Sequence, residues 1–522
     1  MKTLLTLIGS IFFICSAHAQ LTYDWHHSTS DTAQNSVINI ESGDSSYVYV
    51  CCNSNGVVDI DRGPAVHLTT APGYVAVFNT NGNYVRSWCL PVWMLGMRVA
   101  SNGDVIIIGQ FYGTVDFNPS PTFNYPMTAT NMYSAFVARY TKYGQFLWAK
   151  SFGDYQNAEV VAFCVEETAG MITVGGKFSM YAAQTTIDLD PGPGTALYTG
   201  NMGEAGGFFA RLDANGNYGF SRGFIASCIY DVSVNNVGQI ACTGITGGTV
   251  DFDPGPATAA YTSAFNFGDF FVAQYNSVGD YVWHYAAGNS SAAGAGFDVE
   301  LNNGGEVHVT ASCTVPLDLD PGPGTVNNNS TGSFLAKYNS AGALLWSHDG
   351  GFVLQTDALG NAYLVNLSGL SCIAPSGVTQ WTAPVALNIN SIPRITLTQD
   401  SRICMAWHNS APEDVDPGSG TVTVPAVTQY ILLSLNNPLA SVAGYEDNSQ
   451  LSLYPNPVSD VITLSQSSEA FNEFTIINSL GQVVISGTTT GRTTQIPVSS
   501  LAPGLYYLRM NDEITPRSFM VQ

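Results

Sequence analysis

A short acidic motif returns six times along the chain, as Asp59-Ile-Asp61, Asp116-Phe-Asn118, Asp188-Leu-Asp190, Asp251-Phe-Asp253, Asp318-Leu-Asp320 and Asp414-Val-Asp416. The first five copies lie roughly 65 residues apart. Most are followed by a Pro-Gly turn, as in Pro191-Gly192-Pro193-Gly194. A fixed period of this kind means that each unit is a supersecondary motif whose apolar face is buried only against its neighbours.

The flanks say which motif. An apolar run precedes the acidic residues (Val105 to Gly109), and an aromatic run follows them (Phe136 to Tyr140, Phe270 to Ala273, Phe334 to Tyr338). Tight turns such as Asn81-Gly82-Asn83 and Asn215-Gly216-Asn217 then lead to a strand carrying Trp88, Trp148, Phe220, Trp283 or Trp346. With turns such as Asn102-Gly103-Asp104 opening the unit, the pattern is four antiparallel strands with hairpin connections. Composition agrees: 52 Gly, 25 Pro and 11% charged residues suit a turn-rich, all-β chain. Residues 353–381 keep a turn and a closing Trp381 but lack the acidic motif. Residues 393–435 lack a fourth strand. Seven units result, the last incomplete, and Leu21-Thr22-Tyr23-Asp24-Trp25 is an orphan strand able to complete it. Four-stranded units repeated in this way are expected to be the blades of a β-propeller.

The runs from Val105 through Trp148 resemble the bacterial seven-bladed β-propeller repeat family. The resemblance covers roughly residues 20–440 and implies a seven-bladed propeller; Phe220 in place of Trp and the sixth unit depart from its pattern.

The ends of the chain read differently. Residues 1–19 have the layout of a secretory signal: Lys2, an apolar stretch from Leu4 to Ile14, and Ala17-His18-Ala19 as cleavage site. No later stretch is apolar enough for a membrane span. Nine cysteines remain beyond Cys15, mostly inside apolar runs, and are expected to be small buried hydrophobes, with one or two disulfides open. Residues 441–450 form a polar linker, and 451–522 carry short β runs split by turns, expected to form a small sandwich of about seven strands. Tyr454-Pro455-Asn456-Pro457, Asn478-Ser-Leu-Gly481-Gln482 and Leu501-Ala-Pro-Gly504-Leu-Tyr506 resemble the C-terminal sorting domain of type IX secretion cargo. That resemblance implies a partner, the type IX secretion machinery, and a destination, secreted or on the outer cell surface by way of the periplasm, in a Bacteroidota-type bacterium.

Sixteen Lys and Arg against 39 Asp and Glu give a net charge of −23, which excludes the basic footprint of a nucleic-acid binder and docking on anionic lipid. No H-E-x-x-H, G-x-S-x-G or P-loop is present. Adjacent His26 and His27 read as exposed polar residues, Gly203–Gly207 as a loop, and Asp31-Thr32-Ala33 resembles a short O-glycosylation signal. The acidic motif is the one repeated polar feature. Residues i and i+2 of an extended chain share a face. Asp59, Asp61, Asp116, Asp188, Asp190, Asp251, Asp253, Asp318, Asp320, Asp414 and Asp416 are therefore candidate calcium ligands, hard oxygen donors suited to that ion. Two other roles stand beside this one: capping the Pro-Gly turn, and pairing with Arg139, Arg211 and Lys337. Six similar copies argue against catalysis, so no catalytic residue is assigned. The expected function is binding or adhesion to an extracellular glycan or protein. The alternatives are a polysaccharide hydrolase or lyase, which a central pocket of a few convergent carboxylates and one His, differing from blade to blade, would favour where a symmetric ring would favour binding, and a structural surface-layer component.

Overall fold

The computed structural model describes most of residues 21–437 and 452–521; outside it lie 1–20, 438–451 and short stretches including 29–34, 62–66, 153–157, 264–267, 289–293, 386–392, 425–429, 455–457, 466–472, 479–482 and 511–516. The signal sequence, the linker and Asp31-Thr32-Ala33 thus lie outside the described residues. Two compact units divide the chain, residues 1–441 and 442–522.

The first unit is all β. Seven antiparallel four-stranded sheets follow one another along the chain: sheet 1 in residues 35–90, sheet 2 in 93–152, sheet 3 in 158–225, sheet 4 in 227–287, sheet 5 in 294–349, sheet 6 in 353–383 and sheet 7 in 394–436. The first six use four consecutive main strands each. Sheet 7 supplies only three, and its fourth is Thr22–Ser28 from the other end of the chain. That strand pairs with Tyr430–Asn436, placing Trp25 opposite Ser434 and His27 opposite Leu432.

Burial follows strand position. Second and third strands are buried on both faces, as in Ser134–Tyr140, and so read as continuous apolar runs. Fourth strands such as Tyr84–Leu90 alternate, with one face open to solvent. Apolar side chains gather into one cluster at each contact between consecutive sheets. A further cluster joins Cys404, Ala406, Tyr430 and Leu432 of sheet 7 to Ile40, Val48 and Tyr74 of sheet 1.

The fourth-strand aromatic makes the same contact repeatedly. Trp88 lies on Gly144 of the next sheet's last turn, Trp148 on Gly216, Phe220 on Gly279, Trp283 on Gly342 and Trp346 on Gly377. Trp25 of sheet 7 lies on Gly82 of sheet 1. Each of these glycines has φ between 75° and 84°, and a Cβ there would press into the ring. Ring nitrogens complete several of the contacts, Trp25 Nε1 donating to Thr80 O at 2.8 Å and Trp148 Nε1 to Ala214 O at 3.0 Å. Phe220 works in place of Trp because Arg211 and Arg222 cover its ring at 5.5 and 5.0 Å. His26 and His27 are half-buried rather than exposed: His27 stacks on Phe78, with centroids 5.6 Å apart, and bonds Gly82 O.

One further expectation is corrected. Gly206 and Gly207 belong to the strand Ala205–Leu212, not a loop, and Phe178 and Ile229 occupy the space a side chain would need there. The cysteines are the small buried hydrophobes expected: no disulfide joins the nine described, and all but Cys89 are buried.

Among its described residues, the second unit holds seven strands in two antiparallel sheets. Ser452–Tyr454, Val461–Ser465 and Thr493–Pro497 form one; Val483–Thr488, Glu473–Asn478, Gly504–Met510 and Arg517–Val521 form the other. Ile462, Leu464, Ile476, Leu508 and Phe519 share one core between them.

Candidate functional site

The acidic motif lies between the second and third strands of its sheet in all six cases, usually within a short two-stranded excursion. Its first residue is a turn cap. Asp188 Oδ1 accepts from Asp190 N at 2.9 Å and Ala196 N at 2.7 Å. Asp59, Asp116, Asp251, Asp318 and Asp414 accept the same two backbone bonds in their own loops. Its second residue caps the Pro-Gly turn: Asp190, Asp253, Asp320 and Asp416 accept from Gly192, Gly255, Gly322 and Gly418 at 2.7–2.8 Å. A Cβ at Gly194, Gly324 or Gly420 would collide with the same carboxylate, which is why the turn repeats its glycines. Asp61 faces His67 at 3.4 Å.

The expected pairing with third-strand cations does not occur. Arg139 pairs with Asp104 at 3.0 Å and Lys337 with Glu306 at 2.8 Å, while Arg211 donates to Gly238 O and Ser277 O. Arg139 and Arg211 thus bind the turns of the next sheet, where carbonyls point at them, and the acidic loops lie at the other end of the strands.

A different set of polar residues converges elsewhere. The first strands of the sheets touch in sequence: Asn35–Ser42, Trp93–Val99, Ala158–Thr168, Ser227–Val234, Gly294–Leu301, Val353–Thr356 and Arg394–Leu397, the last returning to the first. All seven line one cavity of about 470 Å³. Five of these strands carry a bulge, leaving Ile38, Leu95, Phe163, Tyr230 and Phe297 unpaired in the ladder. A bulge re-aims the residues after it, and Glu41, Arg98, Glu166, Asp231, Asp298 and Glu300 all line this cavity.

Arg98 sits between two of them, with Nη1 3.2 Å from Glu41 and Nε 3.3 Å from Glu166. Asp231 Oδ2 accepts from Val299 N at 2.9 Å, and Asp298 Oδ2 from Leu354 N at 3.0 Å. The charge of Asp298 acts on Asp231. Gln355 donates to Glu300 at 3.2 Å, and Arg394 Nε to Ile38 O at 2.9 Å. Burial raises the pKa of every acid in the group. Glu166 is pushed up to about 7 despite Arg98, and Asp231 goes well above the usual carboxylate range through burial and the Asp298 charge. Glu300, Glu41 and Asp298 move the same way. Burial and the neighbouring like charge both disfavour ionising Asp231 and Asp298 together. Five acids against two guanidiniums leave an excess of acceptors.

None of these cavity residues was expected from the sequence. Their signal is there in retrospect: in a chain with 11% charged residues, Phe163-x-x-Glu166, Tyr230-Asp231 and Phe297-Asp298-x-Glu300 place charge in strands that neighbouring sheets flank. No His lines the cavity. Among the described residues, no group of three or more His, Cys, Asp or Glu is disposed to hold a metal ion, and no helix is long and apolar enough to cross a membrane.

No curated protein matches the chain. Among solved structures, a protein of unknown function from Bacteroides caccae is 11% identical over 62% of this chain and 98% of its own, with a TM-score of 0.24. PorZ, an essential surface component of the type IX secretion system of Porphyromonas gingivalis, is 9% identical over 95% of this chain and 100% of its own, with a TM-score of 0.18. At these TM-scores neither bears on what the chain does. Residues 452–519 match the family described as the secretion system C-terminal sorting domain, and this tail marks the chain as a secreted or outer-surface protein.

Proposed function

We propose that type IX secretion delivers this chain through its C-terminal domain, residues 451–522, and that residues 20–440 act outside the cell as a seven-bladed β-propeller binding module. Supporting the propeller reading are the seven four-stranded sheets, the first strands touching in cyclic order, and the strand Thr22–Ser28 completing sheet 7. The binding site in this reading is the cavity among the first strands, where unlike polar side chains from successive sheets converge; its carboxylates also meet part of what the hydrolase alternative requires, and the His that alternative requires is not in the lining. A glycan or matrix-protein screen of the chain tests it: ligand capture that Glu300→Gln weakens supports it, and capture by no ligand sinks it. Deleting residues 451–522 should hold the chain in the periplasm, and normal surface display would overturn the export reading.

For the eleven acidic loop residues we propose turn capping, since backbone N–H groups fill the first Oδ1 of each copy. Millimolar calcium should then leave the melting temperature unmoved. A rise that is lost in Asp188→Asn with Asp190→Asn would restore the calcium reading.

A further inference from the structure

We infer that the cavity among the first strands takes a small organic cation bearing a primary ammonium group, such as an amino sugar or a diamine. The inference rests on the binding-module reading above and names the ligand class for the same site. Three features converge on it. The donors present are engaged by protein groups, Arg98 by Glu41 and Glu166, Gln355 by Glu300, and Arg394 through Nε by Ile38 O. Five carboxyls against two guanidiniums leave acidic groups in excess, and an ammonium supplies three N–H groups and a charge together.

Aromatic side chains form a second, independent feature. Phe163 and Tyr230 lie 5.8 Å apart, centroid to centroid, and Phe297 and Phe352 6.1 Å apart, all four lining the cavity. Aromatic faces attract cations. One already does so here, because the protein's own ammonium, Lys177 Nζ, sits 5.8 Å over the Phe163 ring. The third feature is size. A cavity of about 470 Å³ falls in the range of small-molecule sites and exceeds what a bare ion needs. The described acids, moreover, are not grouped for a metal.

Binding should also move protons. Glu166 faces Arg98, Glu41, Asp298 and Glu167, and Glu300 and Asp231 feel its charge. A cation entering this group favours the ionised carboxylates, so protons leave the protein on binding near neutral pH.

The experiment is calorimetry on the full chain with glucosamine, glucose, putrescine and calcium chloride, each in two buffers of different ionisation enthalpy. Binding of glucosamine or putrescine with buffer-dependent heat, at least tenfold tighter than glucose, is the expected result. Glu300→Gln and Glu166→Gln should each weaken it roughly tenfold or more with an undiminished melting temperature, which separates loss of ligand from loss of fold. Glucose binding as tightly as glucosamine, or calcium binding alone, overturns the cation inference and leaves the binding-module reading standing. A chain that captures a protein or polysaccharide but none of these probes also overturns it. A chain that captures nothing overturns both.

Discussion

At the fourth strand of a sheet the same contact is made six times, an aromatic ring laid on a positive-φ glycine of the following sheet. At the first strand the paired positions read Asn39 and Glu41, Gly96 and Arg98, Cys164 and Glu166, Asp231 and Ser233, Asp298 and Glu300, Val353 and Gln355. No two sheets agree. Six of the seven fourth strands hold a sheet to the next by this contact, sheet 6 being the exception, and identical tasks favour identical residues. The first strands build one cavity together, and a single ligand presents a different surface to each of them. Repetition therefore marks what holds the molecule together, and divergence within the repeat marks where it acts.

That contrast can be broken most severely at the strand which has no unit of its own. Removing residues 20–28 uncovers the edge of Tyr430–Asn436 and the Gly82 turn. It should destabilise the first unit by about 5 kcal/mol or more, read as thermal melting; an unchanged melting temperature would show that sheet 7 does not need it. Next in size is Trp88→Ala, expected to cost about 3–5 kcal/mol, whereas Glu300→Gln should leave stability within about 1 kcal/mol or raise it. Equal losses from the two substitutions would erase the distinction between holding and acting positions.

Titration sharpens it further, with opposite signs in two regions. His308 is buried in a second strand, and burial lowers its pKa to about 3. Its folded form is neutral, so the fold is unaffected above pH 6.5 and loses stability as pH falls from there toward 3, by roughly 3–4 kcal/mol. His308→Leu should flatten that limb of a stability–pH curve. Glu166 behaves in reverse: its pKa is raised to about 7, so the stability it contributes is present below pH 4.5 and is lost as pH climbs through 7. Glu166→Gln should match the parent at pH 4 and exceed it by about 2 kcal/mol at pH 8. A parallel shift at both values would mean the side chain acts by packing instead.

How much of this was legible in the sequence divides along the same line. The four-strand units, the turns and the role of Leu21 to Trp25 could be read because apolar runs and Gly turns recur at a fixed spacing. The Trp–Gly contacts joined residues that the repeat had already singled out, Trp148 and Gly216 among them, but their partnership across sheets is a matter of three dimensions. Of the alternatives open for the acidic motif, pairing with Arg139 and Arg211 fails because strand-end polarity, not sequence proximity, decides which loop a side chain reaches. The cavity escaped notice because its residues differ from unit to unit, so no period reveals them, and because a bulge shifts the inward face by one residue in five strands.

The borrowed strand of sheet 7 also governs how the molecule is made. Asp24 bonds Ser434 across 410 residues of chain, so closing that loop costs roughly 5 kcal/mol of entropy, against about 1 kcal/mol for a hairpin of a few residues. Six sheets can assemble from neighbouring segments as they emerge during synthesis, and the seventh must wait for the beginning of the chain to find its end. A second copy offers the same strand, chemically identical, to the vacant edge. Whether the product is a monomer or an exchanged dimer is then a contest between the tether's effective concentration and the bulk concentration of folding chains.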